Sequence, residues 1–400
     1  MKKTIRDVEV SDKRTLVRVG LAVPPQRSTT AQKTRMRYTL PTIEYLVSQR
    51  ARVILCTDSG QPVGEPATES SLEPVRDRLS ELLHSDVRRV DDCVGPEVRR
   101  AVDDLRPGEV LLLGSTESYA GESMNNPIFA SELASVADLY VNDDFATAHL
   151  SLASTEGVAR HLPAVAGLSF SRQLEGLQKV QERPERPLVA ILGGATFADK
   201  IGLIEHLLRQ VDSLLVGGNV AMTFLRAVGL DIGPALSTGQ QREVAKRLMR
   251  QAGETLVMPV DVVVGDDLAA DSESRTVPVR EARSDSYMRD IGPRSVELFQ
   301  QKLADARTVV WYGTLGAPEL APTSPANLQI ARTVAGLDAQ SIVGGRDAAA
   351  AAEHAQAAER LTLVSTGDET FLALLGDRRD LPGLRVLQDK NGSSPRARGA

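Results

Sequence analysis

Short runs of consecutive apolar residues recur along the chain, and segments with a helical spacing of apolar residues lie between them. A run that is apolar at every position is typical of a strand with both faces buried, as in a parallel sheet. Between the runs, Ile201, Ile204, Leu207 and Leu208 share one helical face, which indicates an amphipathic helix. This alternation predicts βαβ units and an α/β fold. The predicted strands are 16–19, 53–56, 110–113, 139–141, 188–192, 214–216, 309–311, 341–343 and 363–365.

So many strands exceed one sheet, and 400 residues suit two domains. A charged helical segment, 172–187, separates two sets of strands. We therefore predict an N-terminal domain over 1–171, a connecting hinge helix over 172–187 and a second domain over 188–378. The segment 379–400, which ends in a polar tail, is predicted to return to the N-terminal domain. The alanine-rich run 348–358 is predicted to be a helix, because alanine is the best helix former.

Composition narrows the class of protein. The net charge of −6, from 47 basic and 53 acidic residues, argues against nucleic-acid binding, which needs a basic face. No apolar run reaches the length of a membrane span, and the N-terminus lacks the apolar core of a secretion signal. We expect a cytoplasmic protein. Cys56 and Cys93 have neither CxxC nor metal-ligand spacing, which predicts two inert buried thiols.

Glycine pairs mark the candidate chemistry. Three predicted strands end in such pairs, at Gly193–Gly194, Gly217–Gly218 and Gly344–Gly345, and a fourth ends in Thr366–Gly367. Ligands of doubly wound sheets bind at the carboxyl ends of strands, and free N–H groups at helix starts attract phosphate. One pair alone is compatible with an ordinary turn, but the set predicts a nucleotide or phosphate site. Asp347, just after the third pair, is predicted either to cap its helix or to hold Mg²⁺.

Ten short motifs run in order along the chain: MKKTIRD at 1–7, TLVRV at 15–19, LPTI at 40–43, VND at 141–143, ASTEG at 153–157, AILGGA at 190–195, DKI at 199–201, PVD at 259–261, DIGP at 290–293 and VVW at 309–311. In order and spacing they resemble the phosphoglycerate kinase family. The resemblance implies a monomer with two Rossmann-like three-layer domains, whose parallel sheets are joined by a hinge helix. It implies 3-phosphoglycerate on the N-terminal domain and Mg-ATP or Mg-ADP on the C-terminal domain. Hinge closure would then allow phosphoryl transfer between ATP and a carboxylate.

The sequence departs from the family pattern at the implied substrate pocket. The family's first strand ends in Val-Asp-Phe-Asn-Val-Pro, whereas here 19–24 reads VGLAVP and both polar groups are missing. Of the family's basic cluster Arg35 matches outright, and it is assigned a catalytic role. The pocket is about five charge units more negative than the family pattern, which disfavours a phosphorylated acid. Its altered positions are Asp58, Gln61, Glu117, His149 and Leu150.

The implied nucleotide site is altered less evenly. Thr196 replaces the lysine that meets the transferring phosphoryl group, while the second lysine, Lys200, is kept and is assigned a catalytic role. A nucleotide-contacting asparagine of the family is Tyr312 here, and Asp368 and Glu369 stand at a helix start that normally serves phosphate. The positions that carry over as nucleotide-binding are Gly193, Gly194, Lys200, Gly217, Gly218, Glu319, Gly344, Gly345 and Asp347, the last also as the Mg²⁺ ligand.

Three functions remain open from the sequence. The scattered replacements favour a pseudoenzyme, an inactive or severely impaired descendant, and they leave open whether nucleotide still binds. An ATP-dependent carboxylate kinase with a changed, non-phosphorylated substrate is the first alternative. Ordinary phosphoglycerate kinase is the second.

Overall fold

The computed structural model describes residues 1–21, 29–58, 72–230, 233, 237–269, 272–317, 319–320, 324–365 and 367–390, with side chains for all of these except 29–35. By its contacts the chain divides into two units. Unit 1 comprises Met1–Glu175 and Arg379–Ala400, and unit 2 comprises Gly176–Arg378.

Unit 1 is built on a six-stranded parallel sheet. Its strands are β1 (Arg14–Arg18), β2 (Arg52–Cys56), β3 (Val87–Arg89), β4 (Val110–Leu112), β5 (Leu139–Asn142) and β6 (Ala164–Ala166), in the spatial order β3-β4-β2-β1-β5-β6. Successive residues of a strand point to opposite faces. Leu16 and Val17 are both fully buried, so β1 is covered on both sides. Its helices are α1 (Thr29–Ser48), α2 (Glu73–Leu83), α3 (Pro96–Asp103), α4 (Ala120–Ser123), α5 (Pro127–Ala134) and the first part of α6 (Leu168–Glu182).

Unit 2 contains a second six-stranded parallel sheet, in the order β15-β14-β13-β7-β8-β9. Its strands are β7 (Leu188–Leu192), β8 (Ser213–Val216), β9 (Leu256–Val257), β13 (Thr308–Tyr312), β14 (Gln340–Gly344) and β15 (Leu363–Val364). Its helices are α7 (Ile201–Leu207), α8 (Gly218–Ala227), α9 (Gly239–Ala252), α10 (Pro293–Leu303), α11 (Pro325–Gly336), α12 (Arg346–His354) and α13 (Glu369–Leu375). The predicted fold class, two α/β units with parallel sheets, is confirmed.

Unit 2 also holds a three-stranded antiparallel sheet, absent from the predicted strands. It comprises β10 (Asp261–Gly265), β11 (Ser274–Pro278) and β12 (Tyr287–Ile291), in the order β11-β10-β12. β11 is largely exposed and β12 buries charged side chains, so neither is a continuous apolar run. The predicted helix 348–358 also differs: α12 ends at His354, and Gln356 has a left-handed φ of 56°, which a helix cannot continue through.

Residues 379–390 pack within unit 1. They carry the short helix α14 (Pro382–Arg385). Arg385 Nη2 donates to Glu156 Oε1 at 3.1 Å, and the Gln388 amide donates to the Ala164 carbonyl at 2.9 Å. The boundary between the units, at 175–176, falls inside α6, which overlaps the predicted connector, although 183–187 lie beyond the helix. Among the helices of the described residues, none is long and apolar enough to span a membrane.

Candidate functional site

The carboxyl ends of β1, β2 and β5 bring together a buried ion cluster in unit 1. We call Arg18, Asp58 and Asp144 the Arg18 cluster. Arg18 is the last residue of β1 and is 1% exposed. Its Nη2 lies 2.8 Å from Asp58 Oδ2 and 3.3 Å from Asp144 Oδ2. One guanidinium therefore forms ion pairs with two carboxylates, which follow the strands on either side of β1.

Burial governs the electrostatics of the Arg18 cluster. It disfavours the charged guanidinium, but the attraction of Asp58 and Asp144 is larger and raises the pKa of Arg18. Burial also raises the pKa of Asp58 above its ordinary value, an effect that Arg18 only partly offsets and that Asp144 and Glu117 reinforce. Opposite charges favour the charged form of a group, and desolvation disfavours it. Removing the Arg18 cation would consequently leave the carboxylates of Asp58 and Asp144 without their ion-pair partner.

Asp144 also explains why position 20 is a glycine. A Cβ built on Gly20 would lie 2.8 Å from Asp144 Oδ1. The Asp144 carboxylate therefore occupies the space in which a side chain at 20 would begin. The sequence comparison noted the aspartate missing at Gly20, but it missed the carboxylate that β5 places beside that position.

The other substrate positions predicted in unit 1 are only partly brought to this cluster. Glu117 lies half-buried in a short turn, with its amide donating to Ser115 Oγ at 3.3 Å, and its charge acts on Asp58. His149 is half-buried with Nδ1 3.0 Å from the Ala146 carbonyl, and Leu150 is exposed. The predicted residues Arg35, whose backbone lies in α1, and Gln61 have side chains outside the described residues.

Asp143, beside the Arg18 cluster, is a buried carboxyl group with an unusual pKa. Its Oδ1 accepts a hydrogen bond from the Phe170 amide at 2.9 Å. Burial outweighs the hydrogen bonds and raises its pKa from 3.8 to about 7. The folded state thus holds this proton more tightly than the unfolded chain does. Asp143 therefore stabilises the fold fully below its unfolded pKa, and the contribution is lost as pH rises through the folded value.

Replacing Asp143 with asparagine should flatten the pH dependence of stability between about pH 4 and pH 7. The free energy of unfolding of the wild type, minus that of the variant, should fall with rising pH by up to about 1.4 kcal/mol per unit. Urea unfolding at several pH values measures this difference. Asp138→Asn is the control, because hydrogen bonds from Arg14 lower the pKa of Asp138. Its contribution is lost only at lower pH, and the same difference should be level in this window. A level difference for Asp143→Asn would contradict the raised pKa.

The glycine pairs of unit 2 lie where strands of its parallel sheet end. The N–H groups of Gly193, Gly194 and Gly218 donate to carbonyl oxygens in the turn 312–315 after β13, at 2.9, 2.9 and 2.7 Å. The expectation that these glycines present free N–H groups to a ligand is therefore wrong for these three. Gly193, Gly217 and Gly218 also approach this turn closely: a Cβ on Gly217 would lie 2.5 Å from the Leu315 Cα. Gly194 is required for a different reason, its positive φ of 100°. These contacts hold the neighbouring turns together at the edge of the sheet.

Replacing Gly193 with alanine should destabilise the protein by about 1–3 kcal/mol, or more. The new Cβ would lie 1.9 Å from the Thr314 carbonyl oxygen, which also accepts from the Gly194 amide. Gly202→Ala is the matched control, because no atom lies within 4 Å of its Cβ position in α7. That change should stabilise the protein by up to about 1 kcal/mol. Thermal unfolding separates the two, and similar melting temperatures would refute the packing role of Gly193.

Lys200 is the buried cation at this edge. It follows β7 in a short helical turn just before α7, and its side chain is 5% exposed. Its Nζ donates to the Thr196 carbonyl at 3.1 Å and to Thr196 Oγ1 at 3.3 Å, and it lies 3.3 Å from Asp199 Oδ1. It also lies 5.8 Å from the centre of the Tyr312 ring, within the range of a cation–π contact. Thr196, at the lysine position of the family, thus helps to hold Lys200.

Tyr312, the last residue of β13, contacts Asp368 and Phe371 at the start of α13 and lies near Lys200. Its hydroxyl donates to Asp368, and its ring stacks on Phe371 at 5.9 Å between centroids. Burial, followed by the charge of Asp368, raises the pKa of the Tyr312 hydroxyl well above its ordinary value. Asp368 occupies the N-cap position of α13, yet its side chain makes no capping bond. Comparison of the sequence with the family pattern treated Tyr312 and Asp368 as separate replacements and did not reveal their hydrogen bond.

The remaining nucleotide positions lie around the start of α12 and after β13. Gly344 ends β14, and Gly345 is the N-cap of α12 with a positive φ of 84°. Asp347 therefore lies inside the helix rather than capping it, and it pairs with Arg346 Nε at 3.3 Å. Glu319 is exposed. Thr366 lies outside the described residues.

The metal expected at Asp347 can be tested against this geometry. Across the described ranges, no group of three histidine, cysteine, aspartate or glutamate side chains could hold a metal ion. Mg²⁺ in nucleotide sites uses one or two carboxylates together with phosphate oxygens and water. The Asp347 side chain is 39% exposed at a helix start. It fits that mode, in which the nucleotide brings the metal.

The family model, the relatives and the solved structures that follow agree with one another. A family model described as phosphoglycerate kinase matches residues 5–378. A phosphoglycerate kinase of Pelotomaculum thermopropionicum is 43% identical over 392 residues, covering 97% of this chain and 100% of its own. That of Rubrobacter xylanophilus is 44% identical over 389 residues, covering 97% and 99%. The phosphoglycerate kinase structure from Coxiella burnetii aligns with TM-score 0.81 at 32% identity over 96% of this chain and 98% of its own. That from Pyrococcus horikoshii aligns with TM-score 0.85 at 27% identity over 97% and 98%.

These relatives overturn the function favoured from the sequence. An inactive or severely impaired descendant was expected because residues at both implied substrate sites are replaced. Proteins 43–44% identical over nearly the whole chain are named as the kinase itself. The matches favour the second alternative instead. The error came from weighing single positions without their structural neighbours, such as Asp144 beside Gly20.

Proposed function

This chain belongs to the phosphoglycerate kinase family, and on that premise we propose that it transfers a phosphoryl group between Mg-ATP and 3-phosphoglycerate. The observation that carries the proposal is the 43–44% identity with named kinases over 97% of the chain. In the forward direction a carboxylate oxygen of the acid attacks the γ-phosphorus of ATP. The bond from that phosphorus to the bridging oxygen breaks, and ADP leaves with the electron pair. The products are an acyl phosphate and Mg-ADP.

The nucleotide is assigned to unit 2. Phosphoryl transfer depends on positioning and on neutralising charge at the moving group. Lys200 supplies a buried positive charge at the edge where the glycine turns lie, and a fixed cation is worth more in a water-poor site than in solvent. Asp347 is assigned to the Mg²⁺ that accompanies the phosphates, where the metal supplies further charge neutralisation. Thr196 stands where the family has a lysine, and its carbonyl and hydroxyl oxygens accept hydrogen bonds from Lys200.

The acid is assigned to unit 1. Here Asp58, one of the positions altered from the family pattern, is paired with Arg18, so its charge is partly neutralised within the protein. Arg35 is assigned to the substrate carboxylate or phosphate on the family resemblance. His149, whose imidazole bonds the Ala146 carbonyl, and Glu117 complete the assigned pocket. Charge partners of this kind determine which acid is accepted.

Acyl phosphate formation tests the proposal directly. The purified protein is incubated with Mg-ATP and 3-phosphoglycerate, and the acyl phosphate is trapped with hydroxylamine. D-glycerate, which lacks the phosphate, is the matched control acid. We expect hydroxamate to accumulate with 3-phosphoglycerate and not with glycerate. If glycerate supports equal turnover, or if neither acid does, the proposed substrate is wrong.

A further inference from the structure

We propose that Tyr312 sets the nucleotide affinity of unit 2 through its hydrogen bond to Asp368, a contact we call the Tyr312 latch. The inference rests on the nucleotide site of the proposed function and adds a residue that limits binding there. With the latch closed, the Tyr312 ring stays over the start of α12. Nucleotide binding competes with this closed position, so opening the latch strengthens binding.

Four contacts fix the ring. The Tyr312 hydroxyl donates to Asp368, and the ring stacks on Phe371 with an angle of 18° between planes. The ring also lies so close to Gly345 that a Cβ there would approach it to 2.9 Å. Lys200 Nζ lies 5.8 Å from the ring centre on another side. With Tyr312 only 7% exposed, the ring fills the space beside the N-cap of α12.

This position conflicts with the arrival of phosphate. The N-terminus of a helix is where an anion gains most from N–H groups and the helix dipole. Gly345, the N-cap of the nine-residue helix α12, has no side chain that could cap the helix, and the aromatic ring lies against it. On this proposal, a phosphate that approaches the helix start displaces the ring.

The latch also keeps a negative charge in place. A hydrogen bond to a carboxylate is stronger than one between neutral groups, and burial further favours the protonated Tyr312 hydroxyl that makes it. The bond therefore holds the Asp368 carboxylate beside the β13 edge, where it repels phosphate. Opening the latch moves both obstacles, the ring and the charge.

The test is the dissociation constant of Mg-ADP, measured by calorimetry on the full chain. Tyr312→Phe keeps the ring and its stacking on Phe371 but removes the hydroxyl that closes the latch. We expect Mg-ADP to bind about 5- to 10-fold more tightly, the equivalent of one ordinary hydrogen bond. Asp368→Ala should tighten binding by at least as much. The double variant should bind no more tightly than Asp368→Ala alone, because both changes open one latch.

Tyr287→Phe is the matched control. It makes the same chemical change at an exposed tyrosine at the start of β12 and leaves the Tyr312–Asp368 bond intact, so binding should change by less than about twofold. The latch is overturned if Tyr312→Phe binds Mg-ADP no more tightly than the wild type does. It is also overturned if neither protein binds Mg-ADP. Equal tightening in Tyr287→Phe also overturns it, because the effect would then not come from the Tyr312–Asp368 bond.

Turnover and affinity separate the two proposals. If Tyr312→Phe tightens Mg-ADP binding while no variant forms acyl phosphate, the latch stands and the proposed function fails. If acyl phosphate forms while the affinity of every variant stays equal to that of the wild type, the function stands and the latch fails.

Discussion

Replacing Arg18 with methionine should lower the free energy of unfolding by about 3–5 kcal/mol. Methionine fills a similar apolar volume, so the loss would come from charge rather than from a cavity. The change leaves Asp58 and Asp144 in a buried site without the cation that lies 2.8 and 3.3 Å from them. An unpaired buried charge carries its full desolvation cost. Urea unfolding at neutral pH measures the loss.

Arg14→Met is the control for the Arg18 prediction, since Arg14 lies on the same strand. Its partner Asp138 is 2.7 Å away, but both side chains are at least a third exposed, so its loss should be within about 1 kcal/mol. Adding Asp144→Ala to Arg18→Met should recover part of the stability, because one stranded carboxylate is gone. The loss should also shrink at acid pH, where the acids take up protons. A loss no larger than that of Arg14→Met would contradict the buried network.

Replacing Lys200 with methionine should lower kcat by about 100- to 1000-fold. The reason is the loss of a positive charge, almost fully buried at the edge of the unit 2 sheet, that the proposed function assigns to the transferring phosphoryl group. Because that charge matters most in the transition state, kcat should fall further than the KM for ATP rises. Steady-state kinetics with both substrates varied gives the two constants.

Lys246→Met is the control for the Lys200 prediction. Lys246 lies on α9 in the same unit, is partly exposed and pairs with Glu243 at 2.8 Å. Its removal should leave kcat within about twofold, as for an exposed ion pair. Thermal unfolding of both variants separates a loss of turnover from a loss of fold. A Lys200→Met enzyme with the kcat of the wild type would remove Lys200 from the mechanism.

The sequence was sufficient for nine of the twelve strands in the two parallel sheets, because those strands carry their own signal, whereas the short strands β3, β6 and β9 were not predicted. In β7 every residue of Leu188–Leu192 is apolar and buried, and such a run needs no information from elsewhere in the chain. β12 gives the opposite case. Its Asp290 is buried because Ser324 Oγ and the Ala326 amide donate to it, at 2.6 and 3.0 Å. A carboxylate satisfied from residues more than thirty positions away is indistinguishable, in sequence, from one on the surface.

The same limit applies to the candidate site. Position-by-position comparison identified the changes at Gly20, Asp58, Tyr312 and Asp368, but it evaluated each in isolation. The structure places the carboxylate of Asp144 beside Gly20 and joins Tyr312 to Asp368. Contacts of this kind show which side chain now occupies the space or holds the charge at a replaced position. They join residues far apart in sequence, so only the fold reveals them. The hinge, the role of Arg35 and the roles of the domains stay predictions.

The most direct test of the proposed activity is phosphorus NMR of the purified protein with Mg-ATP and 3-phosphoglycerate, run beside Lys200→Met prepared identically. The variant sample is needed because traces of a host kinase would produce the same product in both samples. We predict ADP and acyl phosphate resonances that grow at least about 100-fold faster with the wild type than with the variant. Equal rates in the two samples, or no acyl phosphate in either, would contradict the account.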